Sequence, residues 1–116
     1  MGSYDEVNTF LKEFKQKAKI YDPVFYPRGK NSDTLLALGI TAHQRLDYLM
    51  NLTVENYYRG PTEDIDPGRP AYYEFGIIIN NQEIYIKLSL GKFNKAPHCM
   101  SFHIAKHKLD YPLKEK

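Results

Sequence analysis

The chain has 116 residues, of which 42% are hydrophobic and 26% charged, values that exclude a disordered or fibrous protein and predict one globular domain. Sixteen Lys and Arg against fourteen Asp and Glu give a net charge of +2, so a nucleic-acid site would have to be a local feature of the surface. The single cysteine, Cys99, excludes an intrachain disulfide and fits a reducing compartment. Because no apolar run approaches the about 20 residues of a membrane span, we expect a cytoplasmic protein with no membrane partner.

The chain begins with a strong helix signal. Ser3 and Glu6 have the spacing of a capping box, and apolar residues then recur at helical spacing, which predicts a first helix over about Tyr4–Ile20. Asp22-Pro23 ends this helix. Val24–Tyr26 is then either a short edge strand or an extended connector.

Helical signals continue up to residue 60. A loop-like stretch is followed by a short apolar segment, which ends at Gly39. Thr41 and Gln44 then have the spacing of a second capping box, and a longer amphipathic segment follows them. The predicted elements are a loop at Gly29–Ser32, a short helix through Leu38 capped by Ser32 or Asp33, a helix over Ala42–Asn51, and one further helical turn over Thr53–Tyr58. The first half of the chain, residues 1–60, is therefore predicted to be helical.

Residues 61–70, rich in Pro, Gly and acidic side chains, predict an exposed loop. Three strand-like segments follow, Ala71–Asn80, Glu83–Gly91 and His98–Lys106, before a tail at residues 107–116. Short connections between them favour an antiparallel meander. The sequence thus predicts a single α+β domain, with N-terminal helices packed on one face of a small antiparallel sheet.

Side chains alternate between the two faces of a strand, so each segment divides into an apolar and a polar set. With the helices on the apolar face, the other face should be open and carry the polar set: Glu74, Tyr85, Lys87, Cys99, Ser101 and His103. Arg59, just before the loop, can approach this face from its rim. Any half-buried sheet has a polar face, but a carboxylate, a phenol, an ammonium and an imidazole are groups that transfer protons or stabilise developing charge.

Other chemistries fit the sequence less well. His98 and His103 point to opposite faces of the predicted strand, and no two histidines share a metal-ligand spacing. Ser101 is two residues from His103 on the same predicted strand, which would place their Cβ atoms about 7 Å apart, and Cys99 is four residues away and farther still, so both are distant for an activated nucleophile. We therefore expect neither a metal nor another cofactor.

Three segments carry a resemblance to a known family: Leu52-Thr-Val-Glu-Asn-Tyr-Tyr-Arg59, Glu83-Ile-Tyr-Ile-Lys-Leu88 and Cys99-Met-Ser-Phe-His103. Together with the acidic loop, they make the region from about Leu35 to Leu113 resemble the MqsR family. These proteins are bacterial type II toxins, mRNA interferases of RelE-like fold. The resemblance implies an mRNA substrate and a cognate antitoxin as partners, and it leaves open whether the ribosome takes part.

The resemblance also implies catalytic positions. Tyr85 and Lys87 match the family's Tyr-x-Lys strand, whereas Arg59 replaces a Lys, Glu74 a Gln and His103 a Lys. The implied reaction is attack of a ribose 2′-hydroxyl on the adjacent phosphate, with Lys87 and Arg59 stabilising phosphate charge, His103 transferring a proton and Glu74 as a candidate partner base. The implied substrate contacts are Tyr58, Tyr73 and Ser101.

Two alternatives stay open on the sequence alone. The same face could bind RNA or protein without turnover, since aromatic and basic side chains on a sheet form a stacking platform. The chain could also be a structural or inhibitory protein partner that docks through its first helix, whose lysines we expect to form a solvated face.

Overall fold

The computed structural model describes residues 2–27 and 29–114. Four helical elements and five strands follow one another along the chain. In order they are α1 (Tyr4–Ile20), β1 (Val24–Phe25), α2 (Gly29–Leu38), α3 (Ala42–Met50), the 3-10 turn η1 (Val54–Asn56), β2 (Tyr57–Thr62), β3 (Tyr72–Ile79), β4 (Gln82–Ser89) and β5 (His98–Ile104).

The five strands form one sheet in the order β1-β5-β4-β3-β2, antiparallel except for the short parallel pair of β1 with β5. Apolar side chains from the helices and from one face of the sheet meet in a single core, which includes Phe14 of α1, Leu49 of α3 and Ile86 of β4. The α+β architecture predicted from the sequence is confirmed. Within the described residues, no helix combines the length and apolar character needed to cross a bilayer.

Helix α1 forms where its sequence predicts it. The Ser3 hydroxyl accepts from the Glu6 amide and the Glu6 carboxylate accepts from the Ser3 amide, which completes the capping box. Two of its lysines are not simply solvated, because Lys15 donates to the Leu52 carbonyl and Lys17 to the Leu90 carbonyl, each at 2.6 Å. The expectation of a fully solvated lysine face was therefore wrong for these two side chains, which tie α1 to the rest of the fold.

Helix α2 begins at Gly29, so the predicted loop at Gly29–Ser32 and the predicted cap at Ser32 or Asp33 were wrong. The cause is tertiary. The Asn31 side chain is 4% exposed, accepts from the Phe102 amide at 3.1 Å and donates to the Tyr26 carbonyl at 2.9 Å. These bonds dock α2 on the edge of β5 beyond the end of β1, where backbone groups of the strand need partners.

Strand β2 occupies residues predicted to be a helical turn and the start of the loop. After the single 3-10 turn η1, Tyr57 pairs with Phe75 and Arg59 with Glu74 of β3, with irregular register between these pairs. Tyr57 is fully buried, and its hydroxyl donates to the Gly60 carbonyl. Long-range burial and pairing of this segment outweigh its weak local strand signal.

The central strands are in clear register except at one bulge. Asn80 and Asn81, both with positive φ, form the two-residue turn between β3 and β4. In β5, Ser101 pairs with Lys87 but Cys99 pairs with Leu88, so Met100 is the extra residue. The expectation that Cys99 shares the polar face was therefore wrong: the bulge turns it into the core, where it is 1% exposed.

Candidate functional site

The pairing of β3, β4 and β5 decides which polar side chains are neighbours. Tyr85 lies opposite His103, and Lys87 lies between Glu74 on β3 and Ser101 on β5. Directly opposed residues of antiparallel strands point to the same face with Cβ atoms about 4.5–5.5 Å apart. The prediction that these five residues share the face away from the helical core is thus confirmed.

A pocket of about 270 Å³ opens on this face. Residues from β2, β4, β5, the start of α2 and the C-terminal segment line it: Lys30, Tyr58, Arg59, Tyr85, Lys87, Ser101, His103, Ala105, Lys106, His107 and Leu109. Every charged side chain lining it among the described residues is basic, although the chain as a whole carries only +2. The pocket is therefore a local concentration of positive charge, which favours the approach of an anion.

Glu74 lies beside this pocket and holds one of its residues, Arg59. Its side chain is 5% exposed, and its Oε2 accepts from Arg59 Nε at 2.8 Å, while the Arg59 side chain is 60% exposed. The hydrogen bond to Glu74 raises the pKa of Arg59 above its ordinary value. Only Nε takes part in that bond, so the Nη groups of Arg59 can serve a bound anion.

Tyr85 is influenced by the same carboxylate. Burial is the main cause that raises the pKa of Tyr85 far above its ordinary value of 10.0, and the nearby charge of Glu74 adds to the shift. A phenol in this state keeps its proton at neutral pH. Tyr85 is therefore a hydrogen-bond donor and a ring surface in this pocket, not a base.

His103 lies next to Tyr85, with ring centroids 5.2 Å apart. Its Nδ1 is 3.0 Å from the Ile104 carbonyl oxygen, which can only accept, so Nδ1 carries the hydrogen of this bond. In the neutral ring the lone pair is then on Nε2. The backbone contact thus fixes the tautomer that an imidazole needs to accept a proton through Nε2.

Two cation-aromatic pairs flank the pocket. Lys87 Nζ lies 4.5 Å from the Tyr72 ring centroid, and Arg59 Cζ lies 4.8 Å from the Tyr58 ring centroid. Tyr58, predicted as a substrate contact, does line the pocket. Alternation along the strand places Tyr72 on the same face as Glu74, but Tyr72 was not among the predicted site residues.

The structure separates one predicted residue from the others. Tyr73 points to the helical side of the sheet, where its ring centroid is 4.2 Å from that of Phe10, and it lines a different cavity along α1. Its predicted role as a substrate contact in this pocket was therefore wrong, because neighbours on a strand face opposite ways. Ser101 is in the pocket lining but only 3% exposed, which limits it to short contacts at the floor.

The C-terminal segment, residues 105–114, folds back over the sheet and forms a wall of the pocket. This wall was not predicted from the sequence. The Glu83 carboxylate accepts from the Leu109 amide at 2.8 Å and from the Tyr111 hydroxyl at 2.7 Å. Leu109 and Tyr111 lie over Gly76 of β3, where a Cβ would meet both side chains. A glycine inside a strand signals such a close approach, and here it was the available clue. This fold-back carries Lys106 and His107 to the pocket.

Within the described residues, no three side chains of His, Cys, Asp or Glu cluster so as to hold a metal ion. Comparison with models of known protein families, with curated proteins and with solved structures finds no match. The resemblance to the MqsR family and the RelE-like assignment therefore stay predictions, which depend on the short motifs quoted above.

Proposed function

We propose that this protein is a metal-independent endoribonuclease, the toxin of a type II toxin-antitoxin pair, with mRNA as substrate and a cognate antitoxin as protein partner. The observation that carries the proposal is the pocket whose charged lining residues are basic and in which the His103 imidazole is held in one tautomer by a backbone carbonyl. A phosphodiester backbone is the polyanion that such a pocket fits. The MqsR resemblance supports the same reading and a cytoplasmic location.

In the proposed reaction, His103 Nε2 accepts the proton of a ribose 2′-hydroxyl, whose oxygen then forms a bond to the adjacent phosphorus. The bond from phosphorus to the 5′-oxygen breaks, and that oxygen takes a proton from the Lys87 ammonium. The products are a 2′,3′-cyclic phosphate and a 5′-hydroxyl. Arg59 and Lys87 stabilise the charge that builds on the phosphate oxygens in the transition state.

Glu74 has a positioning role in this proposal instead of the partner-base role that the sequence suggested. Its carboxylate is buried and already accepts from Arg59. A base must reach the hydroxyl it deprotonates, whereas the Glu74 carboxylate is 5% exposed and faces the guanidinium that it holds. Tyr85 supplies a hydroxyl donor and a ring against which a ribose or base can pack.

The test is cleavage of a defined RNA in EDTA, with mapping of both product ends. We expect cyclic phosphate and 5′-hydroxyl ends, and a loss of about 10²-fold or more in rate for His103→Ala or Lys87→Ala. His43→Ala and Lys12→Ala are matched controls, since both residues are exposed and lie outside the pocket. Folded His103→Ala and Lys87→Ala variants that cut as fast as the parent would refute the assignment.

Binding without turnover is the second candidate function, and the cation-aromatic pairs of Lys87 with Tyr72 and Arg59 with Tyr58 favour it. Such pairs also serve as a stacking platform for single-stranded RNA. A parent protein that binds RNA tightly and releases no cleaved product would select this function. Docking through α1 is less favoured, because Lys15 and Lys17 already bond to carbonyls of the same chain.

A further inference from the structure

A second depression adjoins the pocket on the other side of His103. Its volume is about 240 Å³, and it lies between α2 and the end of β5. Its lining residues are Lys30, Asp33, Thr34, Ala37, His103, Ile104 and Lys106. Three of these, Lys30, His103 and Lys106, also line the first pocket, so the two depressions form one continuous track with the imidazole at the junction.

The sizes of the two depressions are informative. Each is smaller than the about 300–1,000 Å³ of a pocket for a drug-sized ligand, so each suits one nucleoside and neither suits two. An endonuclease that cuts within a strand needs space for a nucleoside on both sides of the scissile phosphate. Two such spaces separated by a histidine and bordered by two shared lysines match this requirement.

We propose that the two depressions bind the two nucleosides that flank the scissile phosphate, with Lys30 and Lys106 holding the phosphate at the junction and Asp33 reading the base in the second depression. This inference rests on the proposed function. Lys30 and Asp33 are both on α2, the helix that Asn31 docks against β5. Helix α2, whose start was predicted wrongly from the sequence, thus forms one wall of the proposed RNA site.

Among the described residues that line the two depressions, Asp33 is the one carboxylate. An ionised carboxylate only accepts hydrogen bonds. It therefore favours a base whose edge carries an exocyclic amino group over uracil, whose single N3–H donor lies between two carbonyl oxygens that repel a carboxylate. Thr34, Ala37 and Ile104 provide short apolar groups against which the flat base can pack.

A bulky substitution tests the second depression directly. Ala37 is exposed and lines the depression, whereas its neighbour Leu36 is 85% exposed and lies outside the lining, so Leu36→Trp is a matched control for Ala37→Trp. The substrates are an RNA oligomer with a mapped cleavage site and two versions of it, each abasic at one of the two flanking nucleosides. Circular dichroism and denaturation check that both variants fold.

We expect Ala37→Trp to slow cleavage of the intact oligomer about tenfold, the effect of losing one base contact. One of the abasic oligomers should slow the parent similarly, and on that oligomer Ala37→Trp should have no further effect. If the parent cuts no RNA, the proposed function itself fails. If the parent cuts RNA but Ala37→Trp behaves as Leu36→Trp, or slows all three substrates equally, only the two-sided site is refuted.

The role of Asp33 has its own measurement. The test uses four oligomers, each with a different base at the flanking position whose abasic version is insensitive to Ala37→Trp. The parent should cut the oligomers with an amino-bearing base at this position faster than the one with uracil. In Asp33→Asn, whose side chain both donates and accepts, this rate ratio should fall towards one. An unchanged ratio in a variant that cuts RNA normally would remove Asp33 from the site.

Discussion

The strongest structural prediction concerns Gly76→Ala, because this glycine lies beneath the C-terminal segment. An added Cβ would overlap with the Tyr111 hydroxyl and come within 2.7 Å of Leu109 Cδ1. Contacts under 3.0 Å are not tolerated by real Cβ atoms, so these two side-chain ends must move, which disturbs the bond from the Tyr111 hydroxyl to Glu83 and the packing of Leu109. We therefore expect docking of the fold-back to weaken while the strands beneath it stay paired.

The size of the effect follows from what the fold-back buries. Leu109 is 3% exposed, which contributes about 1.5–3 kcal/mol. The two bonds to the Glu83 carboxylate each add about 1.5–3 kcal/mol before the cost of ordering the segment is subtracted. Because the segment can open without global unfolding, the loss is limited to its own docking free energy, about 2–4 kcal/mol.

Hydrogen exchange is the assay, since the Leu109 amide donates to Glu83 in the folded state. In Gly76→Ala, this amide should exchange about 30-fold faster or more, while amides in the middle of β4 keep their protection. Gly29→Ala is the control, because a Cβ there meets nothing within 4 Å and alanine favours the helix by about 0.5–1 kcal/mol. Parent-like protection of the Leu109 amide in Gly76→Ala would refute the account of the fold-back.

Two further predictions concern stability. Asn31→Ala should lower the free energy of unfolding by about 2–4 kcal/mol, because the buried Phe102 amide and the carbonyls that accept from Asn31 lose their partners. Urea denaturation measures this loss, with Ser32→Ala as the control. A loss no larger than that of Ser32→Ala would contradict the prediction. Burial raises the pKa of Tyr85 above 10.0 and that of Cys99 from 9.0 to about 12, so the folded state favours the protonated forms. The stability that these groups contribute is complete below pH 9 and should fall as pH rises from 9 to 12. Tyr85→Phe should lose less stability than the parent above pH 10. The measurement is the free energy of unfolding at each pH, and a fall above pH 10 as steep as the parent's would contradict the prediction.

The sequence predicted the elements whose signals are local. Helices α1 and α3 each begin with a capping box, which is formed in the structure, and their apolar spacing matches the observed elements to within a residue. The start of α2 and the whole of β2 were missed because distant partners determine them. Asn31 bonds to β5, and Tyr57 pairs with β3, and neither partner can be read from nearby residues.

The residues of the candidate site also divide into those with local sequence signals and those that distant contacts place. Alternation along β3, β4 and β5 correctly grouped Glu74, Tyr85, Lys87, Ser101 and His103, since the pleat of a strand is a local property. Alternation failed at Cys99, because one bulge reverses the facing of every residue on one side of it. The lysines at the rim, Lys30 and Lys106, were not predictable, since they reach the pocket only through the docking of α2 and of the C-terminal segment.

The physical chemistry of Glu74 explains why these parts form one site. A carboxylate with 5% of its side chain exposed must be compensated, and Arg59 supplies a hydrogen bond from Nε at 2.8 Å. The need to satisfy that carboxylate fixes a cation from β2 on one side of β3, while Tyr85 and Lys87 of β4 lie on the other side. The part of the pocket made by the strands is therefore held by the energetics of burial. The rim cations Lys30 and Lys106 are carried by the docked α2 and by the fold-back, so we expect them to be the part of the pocket that changes most in the proposed complex with RNA.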